Sequence, residues 1–482
     1  MLGRLFSTTD ARGQTKEYEY DIANRLSAIW YGNEAVSTPN VSFAYDYMGR
    51  RTNMTDGLGA TTWAFVPVGQ PGAGRPAFQD GPFANDSLAS AYDAMGRVTN
   101  RIACGGVSQF VYDGLGRVQV ETNPLGVFTN RYDGVSDRPV LLTYPNGMET
   151  HWSWGPVTND LQLASLSHRQ PGGAGGFTNL HTSHYERLIT GEITRITNSV
   201  RDGLGSADWR YVNDAASQLV QAATTVYEQG SGTTNWQFRW DYDAMGNPRS
   251  DQVQAPGHDG ALRVYAHNAV NQRLTRQSGG WKRFRASTDE ALQSAMVNGQ
   301  PATLVSSNVF EAALTLAPGS NTVTLLARDY SGNIRTNRFS APAATNQTTA
   351  YAYDDNGNLT SDGTASYAHD AEDRCVSKSG AFTLEYDGLG TPRRLTDASS
   401  NVWHLVWEGP RVVAKLAADT TNYATSGVQS PHESLFFERG AYAHYQTGST
   451  NEWVAQFVTR DHLGGVQTWT DAAGTPIAVK PQ

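Results

Sequence analysis

Apolar positions along this chain come in short runs separated by polar, glycine-bearing tips. Gln109-Phe110-Val111-Tyr112 and Val323-Thr324-Leu325-Leu326-Ala327 are typical runs. Alternation of this kind puts successive side chains on opposite faces of a strand. No interval carries a long apolar pattern at i, i+3, i+4, i+7, the signature of an amphipathic helix. The pattern predicts an all-β chain made of many short hairpins.

The tips share one phrase, Tyr-Asp-x-x-Gly-Arg. It stands complete as Tyr45-Asp46-Tyr47-Met48-Gly49-Arg50, Tyr92-Asp93-Ala94-Met95-Gly96-Arg97 and Tyr112-Asp113-Gly114-Leu115-Gly116-Arg117. Weaker copies begin at Tyr20, Tyr132, Tyr242, Tyr353 and Tyr386, the last two with Asp354/Gly357 and Asp387/Gly390. Spacings of about twenty residues fall in the range of repeat architectures. Asp suits the first position of a type I turn, where its carboxylate accepts from N–H groups ahead of it. Gly three residues later supplies a positive φ, and Tyr before the turn favours a strand. Further Asp-x-x-Gly steps occur at Asp10/Gly13, Asp56/Gly59, Asp202/Gly205, Asp329/Gly332, Asp461/Gly464 and Asp471/Gly474. The Thr-Asn steps at Thr99-Asn100, Thr122-Asn123 and Thr129-Asn130 suit hairpin ends and exposed edges. Arg50, Arg97 and Arg117 are expected to pair with carboxylates of neighbouring turns.

The repeat is interrupted. From about Trp281 to Pro342 the phrase disappears, and Val297-Asn298-Gly299-Gln300 offers a two-residue hairpin turn instead. This segment resembles bacterial Ig-like or cadherin-like modules, most clearly at Ala327-Arg328-Asp329-Tyr330-Ser331-Gly332-Asn333. The expected organisation is a repeat array over 1–280, an inserted β-sandwich over 281–342, and a second stretch of repeats over 343–482. Pro67 to Pro82, Gln170 to Gly176 and residues 417–433 read as exposed loops.

Composition narrows the function classes. Charged residues are 17% of the chain, whereas 48 glycines, 22 tyrosines and 12 tryptophans fit many turns and aromatic strand faces. A net charge of -9 argues against nucleic acid or an anionic membrane as partner. No stretch approaches the roughly 18 apolar residues of a membrane helix. Cys104 and Cys375 do not form a disulfide framework. Met1-Leu2-Gly3-Arg4-Leu5-Phe6-Ser7 lacks the apolar run of a signal peptide, so the expectation is an internal piece of a longer secreted or surface protein.

Candidate chemistry is sparse. His181-Thr182-Ser183-His184 could bring two imidazoles to a metal, but only Glu186 lies near as a third ligand. Asp354-Asp355-Asn356-Gly357-Asn358 is oxygen-rich, yet the turn reading explains it without calcium. His462 beside Asp461 invites an acid–base reading, although Asp461 occupies the turn slot. Trp152 with Trp154 and Trp236 with Trp240 lie at period-two positions, where aromatic rings can stack on sugars or pack within a sheet. No catalytic residue, cofactor or metal site is assigned.

The repeated phrase resembles the RHS/YD-repeat family of bacterial proteins over residues 4–280 and 343–482. Phe457-Val458-Thr459-Arg460-Asp461-His462-Leu463-Gly464-Gly465, followed by Thr470-Asp471-Ala472-Ala473-Gly474, is similar to the start of the RHS-associated core, with Gly465 where the family usually has Ser. The resemblance implies a spiral of hairpins wound into a hollow shell. In that family the shell encloses a C-terminal effector, commonly a toxin, released by an Asp-based self-cleavage motif. Neither the family's tyrosine-proline-glycine segment nor that motif occurs in this chain. Other YD-repeat proteins are surface adhesins. Two expectations follow: a non-catalytic shell segment whose partners are an effector or further shell segments of the same polypeptide, or an adhesin for cell-surface glycan or protein.

Overall fold

The computed structural model describes residues 3–172, 176–200, 205–228, 232–255, 258–317, 319–343, 348–418, 433–437, 440–447, 450–473 and 476–479. Among the described residues, apart from one 3-10 turn at Val157–Asn159, the regular elements are strands. The all-β expectation holds. The chain divides into two compact units, one of Met1–Thr182, Tyr353–Thr360 and Ala365–Gln482, the other of Ser183–Ala352 and Ser361–Thr364.

In the first unit, each strand from Ser7–Thr9 to Leu163–Pro171 pairs antiparallel with the next in sequence. A second run, from Tyr367–His369 to Pro476–Val479, does the same. Period-two burial makes this possible. In the strand Gly126–Tyr132, Phe128 and Asn130 point inward while Val127, Thr129 and Arg131 point out.

The two runs lie face to face and progress in the same order. Lys16 meets Glu372 at 2.9 Å, Asp86 meets Arg393 at 3.0 Å, and Arg101 meets Glu408 at 2.7 Å. Further along, Phe128 sits 6.2 Å from Phe457, and Thr470 Oγ1 donates to Met148 Sδ at 3.4 Å. Two apolar clusters fill the space between the runs. One gathers Leu125, Phe128, Leu142, Tyr144, Met148, Leu180 and Phe457; the other gathers Cys104, Val406, Val413, Ala414, Leu416 and Leu435. The Asp86–Arg393 pair is fully buried, and the carboxylate also accepts from Gly81 N and Phe83 N, so neither oxygen is left without partners.

The second unit continues sequential pairing from Ile193–Val200 to Arg273–Ser278. The chain then leaves the array and returns at Thr348–Ala350, which pairs with the same strand, Thr275 opposite Ala350. Between departure and return stand two small sheets. Gly280–Ser287, Val309–Leu316 and Thr303–Ser306 form one; Gln300–Pro301, Leu292–Val297, Gly319–Asp329 and Ile334–Ala343 form the other. They enclose a core of Leu292, Ala295, Val297, Phe310, Leu314, Leu316, Val323 and Ala341. Asn298 and Gly299 turn the hairpin with φ values of 46° and 78°, which only Asn and Gly tolerate cheaply.

Several local expectations are corrected. The stretch Pro67 to Pro82 is not wholly loop, because Pro76–Asp80 pairs with Gly59–Phe65. The strand Leu163–Pro171 likewise takes in Gln170 and Pro171. Thr99-Asn100 and Thr129-Asn130 lie inside strands, and Asn130 is buried with its amide donating to Val118 O. Asp56 faces Gly59 directly across a two-residue turn, as Asn123 faces Gly126, so these form a second, tighter turn at the other end of the hairpins. Asp202, residues 173–175, Gly474 and most of 417–433 lie outside the described residues.

Phe128 is fully buried at the meeting of the two runs. Phe128→Ala is therefore expected to cost about 3–5 kcal/mol, from lost burial plus the cavity left behind. A urea midpoint unchanged from wild type would contradict the face-to-face packing.

Candidate functional site: the turn ladder and a buried histidine pair

The three complete tips share one geometry. Gly49 N donates to Asp46 O at 3.0 Å and Asp46 N to Arg50 O at 2.9 Å. Asp46 Oδ1 accepts from Met48 N and Arg50 N, both at 2.9 Å, while Oδ2 takes Arg50 Nε at 2.7 Å. Asp93 with Arg97 and Asp113 with Arg117 repeat these bonds. Gly49, Gly96 and Gly116 have φ of 80°, 76° and 85°, a region that a β-branched residue resists. The side chain and backbone N–H of Arg117 hold the Asp113 carboxyl below its ordinary pKa. Each arginine thus pairs with the carboxylate of its own turn rather than a neighbour's, which corrects the expected pairing, and Arg117 Nη1 also donates to Gly134 O and Ser136 O of the next turn.

The weaker copies keep the turn and vary the clasp. Asn358 Nδ2 replaces the guanidinium on Asp354, and Gly357 has φ of 92°. Asp387 accepts from Leu389 N and Thr391 N but has no arginine, and burial raises its pKa. Gly390 and Gly464 both have φ of 83°, and Asp461 accepts from Leu463 N and Gly465 N.

The role of Tyr is not apparent from one copy alone. Its hydroxyl reaches back to the hairpin before it and donates to the carbonyl at the start of that hairpin's return strand. Tyr45 Oη reaches Leu26 O at 2.8 Å; Tyr92, Tyr112 and Tyr132 reach Pro76 O, Val98 O and Val118 O at 2.7 Å. Tyr386 reaches Cys375 O at 2.8 Å. Tryptophan fills the same slot at Trp154 and Trp407, donating to Pro139 O and Pro392 O. Meanwhile the arginine of one turn lies over the ring of the next. Arg97 sits 4.5 Å from the Tyr112 centroid, Arg117 4.5 Å from Tyr132, and Arg374 4.9 Å from Tyr386. Such contacts add about 0.5–1 kcal/mol each at exposed sites. The signal was present in the twenty-residue recurrence of Tyr and Arg together, but its direction needs three dimensions.

The remaining candidates resolve individually. His181 is buried and lies 6.5 Å from His168, ring to ring. His168 Nδ1 is 2.9 Å from Thr150 Oγ1 and its Nε2 3.0 Å from Arg460 O, so both ring nitrogens are engaged. His184 is exposed and does not join this pair. Among the described residues no group of three or more His, Cys, Asp or Glu is arranged to hold a metal ion. The oxygen-rich Asp354 segment surrounds a cation already present in the chain. Arg12 lies 3.3 Å from Asp354 and 2.9 Å from Asp373, with Asn356 and Asn358 completing the network. Cys104 and Cys375 are not joined in a disulfide. Trp236 and Trp240 flank Phe238 at 6.2 and 6.0 Å with nearly parallel rings, and Trp209 joins from a nearby strand at 5.9 Å.

No family model matches the chain, and no curated protein matches its sequence. Among solved structures, the TcdB2-TccC3-Cdc42 complex aligns over 97% of this chain and 30% of its own at 11% identity, with a TM-score of 0.24. The Photorhabdus luminescens Tc holotoxin pore aligns over 97% and 30% at 12% identity, with a TM-score of 0.25. The TcdB2-TccC3 complex gives 96%, 32%, 11% and 0.21. The chain spans about a third of the length of these structures, and TM-scores this low do not establish a common fold.

Two outcomes are expected. Tyr112→Phe removes the bond to Val98 O and should cost about 0.5–1.5 kcal/mol in denaturant unfolding. Tyr47→Phe, at an exposed ring, should cost nothing measurable. Equal effects would refute the latch. The second concerns acid. Burial, with the charge of His181, lowers the His168 pKa to about 3, and burial lowers that of His181 to about 4. The folded state therefore binds fewer protons than the unfolded one below pH 6.5, and stability falls as pH drops towards 3. At pH 4 the loss from His168 alone is roughly 3 kcal/mol. His168→Gln should flatten that slope, and an unaltered slope would contradict the assignment.

Proposed function

We propose that this chain is a non-catalytic structural segment of an RHS-type β-shell, which houses or presents an effector encoded beyond it in the same polypeptide. The observation that carries this reading is the latch between consecutive hairpins, which joins repeats to their neighbours. Arrays of this kind gain stability from nearest-neighbour terms and make extended walls. The second run packing on the first in the same order supports a wall two sheets thick within the first unit. The commonest chemistry-bearing residues, the turn aspartates and arginines, are engaged in holding tips closed. Secretion or surface display is part of the proposal, and the inserted sandwich would be an Ig-like module on the wall.

A second reading, an adhesin for cell-surface glycan or protein, is favoured by the aromatic row of Trp209, Trp236, Phe238 and Trp240 on one sheet region. The rings lie near one another with similar planes, an arrangement that also serves packing within the array.

Expression of the complete reading frame separates the two. The shell reading predicts a downstream segment that co-purifies with the array and resists protease until the array unfolds. Digestion of that segment at the rate of the free polypeptide, together with specific glycan-array binding by this chain, would replace the shell with the adhesin.

A further inference from the structure

In the second unit, a cavity of about 240 Å³ opens where the inserted sandwich meets the array. Its floor is fixed by strand register. Arg239 stands directly opposite Gln221 on one neighbouring strand and Gln252 on the other, so the three side chains share one face. One row along, Asp241 stands opposite Ser250. Ser250 and Gln252 are each only 8% exposed. The strand Gly280–Ser287 packs against Pro248–Ala255 and His258–His267, and Arg283 from it completes the lining.

Among the described residues, no hydrogen bond or ion pair within 4.0 Å reaches the Arg239 guanidinium, and none reaches the side chains of Ser250 or Gln252. Buried polar groups are nearly always satisfied, by protein, water or ligand. The charges are also unequal. Glu311 lies 3.8 and 3.6 Å from Arg283 and Arg285 and also attracts Arg239 from beyond ion-pair distance, so one carboxylate answers three guanidinium groups. Asp241, also at the rim, is half exposed and lies 3.9 Å from Arg249.

We propose that this cavity is an oxyanion site that takes a phosphate or sulfate group, as the free ion or as an ester. Arg239 binds from the floor and Arg283 from the mouth, while Ser250 and Gln252 donate to the remaining oxygens. Guanidinium forks match such oxygens in geometry and charge. Water could satisfy Ser250 and Gln252, whose groups are neutral, but it would add no negative charge to a cluster in which Glu311 alone answers Arg239, Arg283 and Arg285. Burial, and then the charge of Arg283, depress the Arg239 pKa, and the attraction of Glu311 offsets this only in part. The cavity is several times the roughly 30 Å³ that a water occupies in the liquid, so an ester substituent also fits.

Isothermal titration of the full chain with sodium sulfate and sodium phosphate, against sodium chloride at matched ionic strength, tests this. Direct titration is needed because sulfate stabilises proteins non-specifically by exclusion from their surfaces. Saturable binding of sulfate or phosphate, absent with chloride, is expected. Both Arg239→Gln and Arg283→Gln should weaken it at least tenfold. Should Arg239→Gln fail to fold, Arg283→Gln decides alone, since that side chain is 46% exposed. Phosphate affinity that rises between pH 6 and 8 while sulfate affinity stays flat would identify the phosphate dianion; equal affinities would identify a site that also takes sulfate esters. No saturable binding, or binding unchanged in both variants, would overturn the proposal.

Discussion

Everything in this fold depends on fastening one hairpin to the next. An isolated hairpin in water is marginal, and a twenty-residue repeat buries too little to stand alone. Three small interactions at the complete tips address that constraint together. The aspartate locks the turn, the arginine clasps the aspartate and covers the following ring, and the tyrosine hydroxyl returns to the preceding hairpin. None is strong singly. Repeated along the array, they hold register at the tips while the sheet faces remain free to vary.

The faces then do different work in the two units. In the first, a later run of hairpins lies on an earlier one, and apolar residues such as Phe128, Val406 and Phe457 fill the gap. Some of the polar exceptions there are paired, while Thr459 Oγ1 and Arg393 Nε are buried without a partner among the described residues. Asp86 meets Arg393, and Asp56 accepts from Gly388 N at 2.7 Å. In the second unit the strands are longer and an inserted sandwich covers part of one face. Insertion is tolerated because the chain leaves and rejoins beside the same strand, so no ladder is broken.

Much of this was legible in the sequence, for a local reason. Turn chemistry is decided within four or five residues, so Asp46 to Gly49 and Asn298-Gly299 announce themselves. The same locality explains the errors. Asp56/Gly59 has the Asp-x-x-Gly spelling but forms a tighter turn at the other end, which only pairing distinguishes. Pro76–Asp80 is hidden among glycines because its register comes from a partner strand. The latch, the stacking of the second run and the cavity at Arg239 all depend on which strands become neighbours. Composition and spacing carry no such information.

The central claim is that neighbouring hairpins are energetically coupled through their tips. A double-mutant cycle on Arg97→Gln and Tyr112→Leu, read by denaturant unfolding, measures that coupling directly. The account predicts an interaction energy of about 0.5–1 kcal/mol, because each residue's contribution includes contact with the other. Strict additivity of the two substitutions would contradict it and leave the tips as independent turns on a sheet held together by its backbone alone.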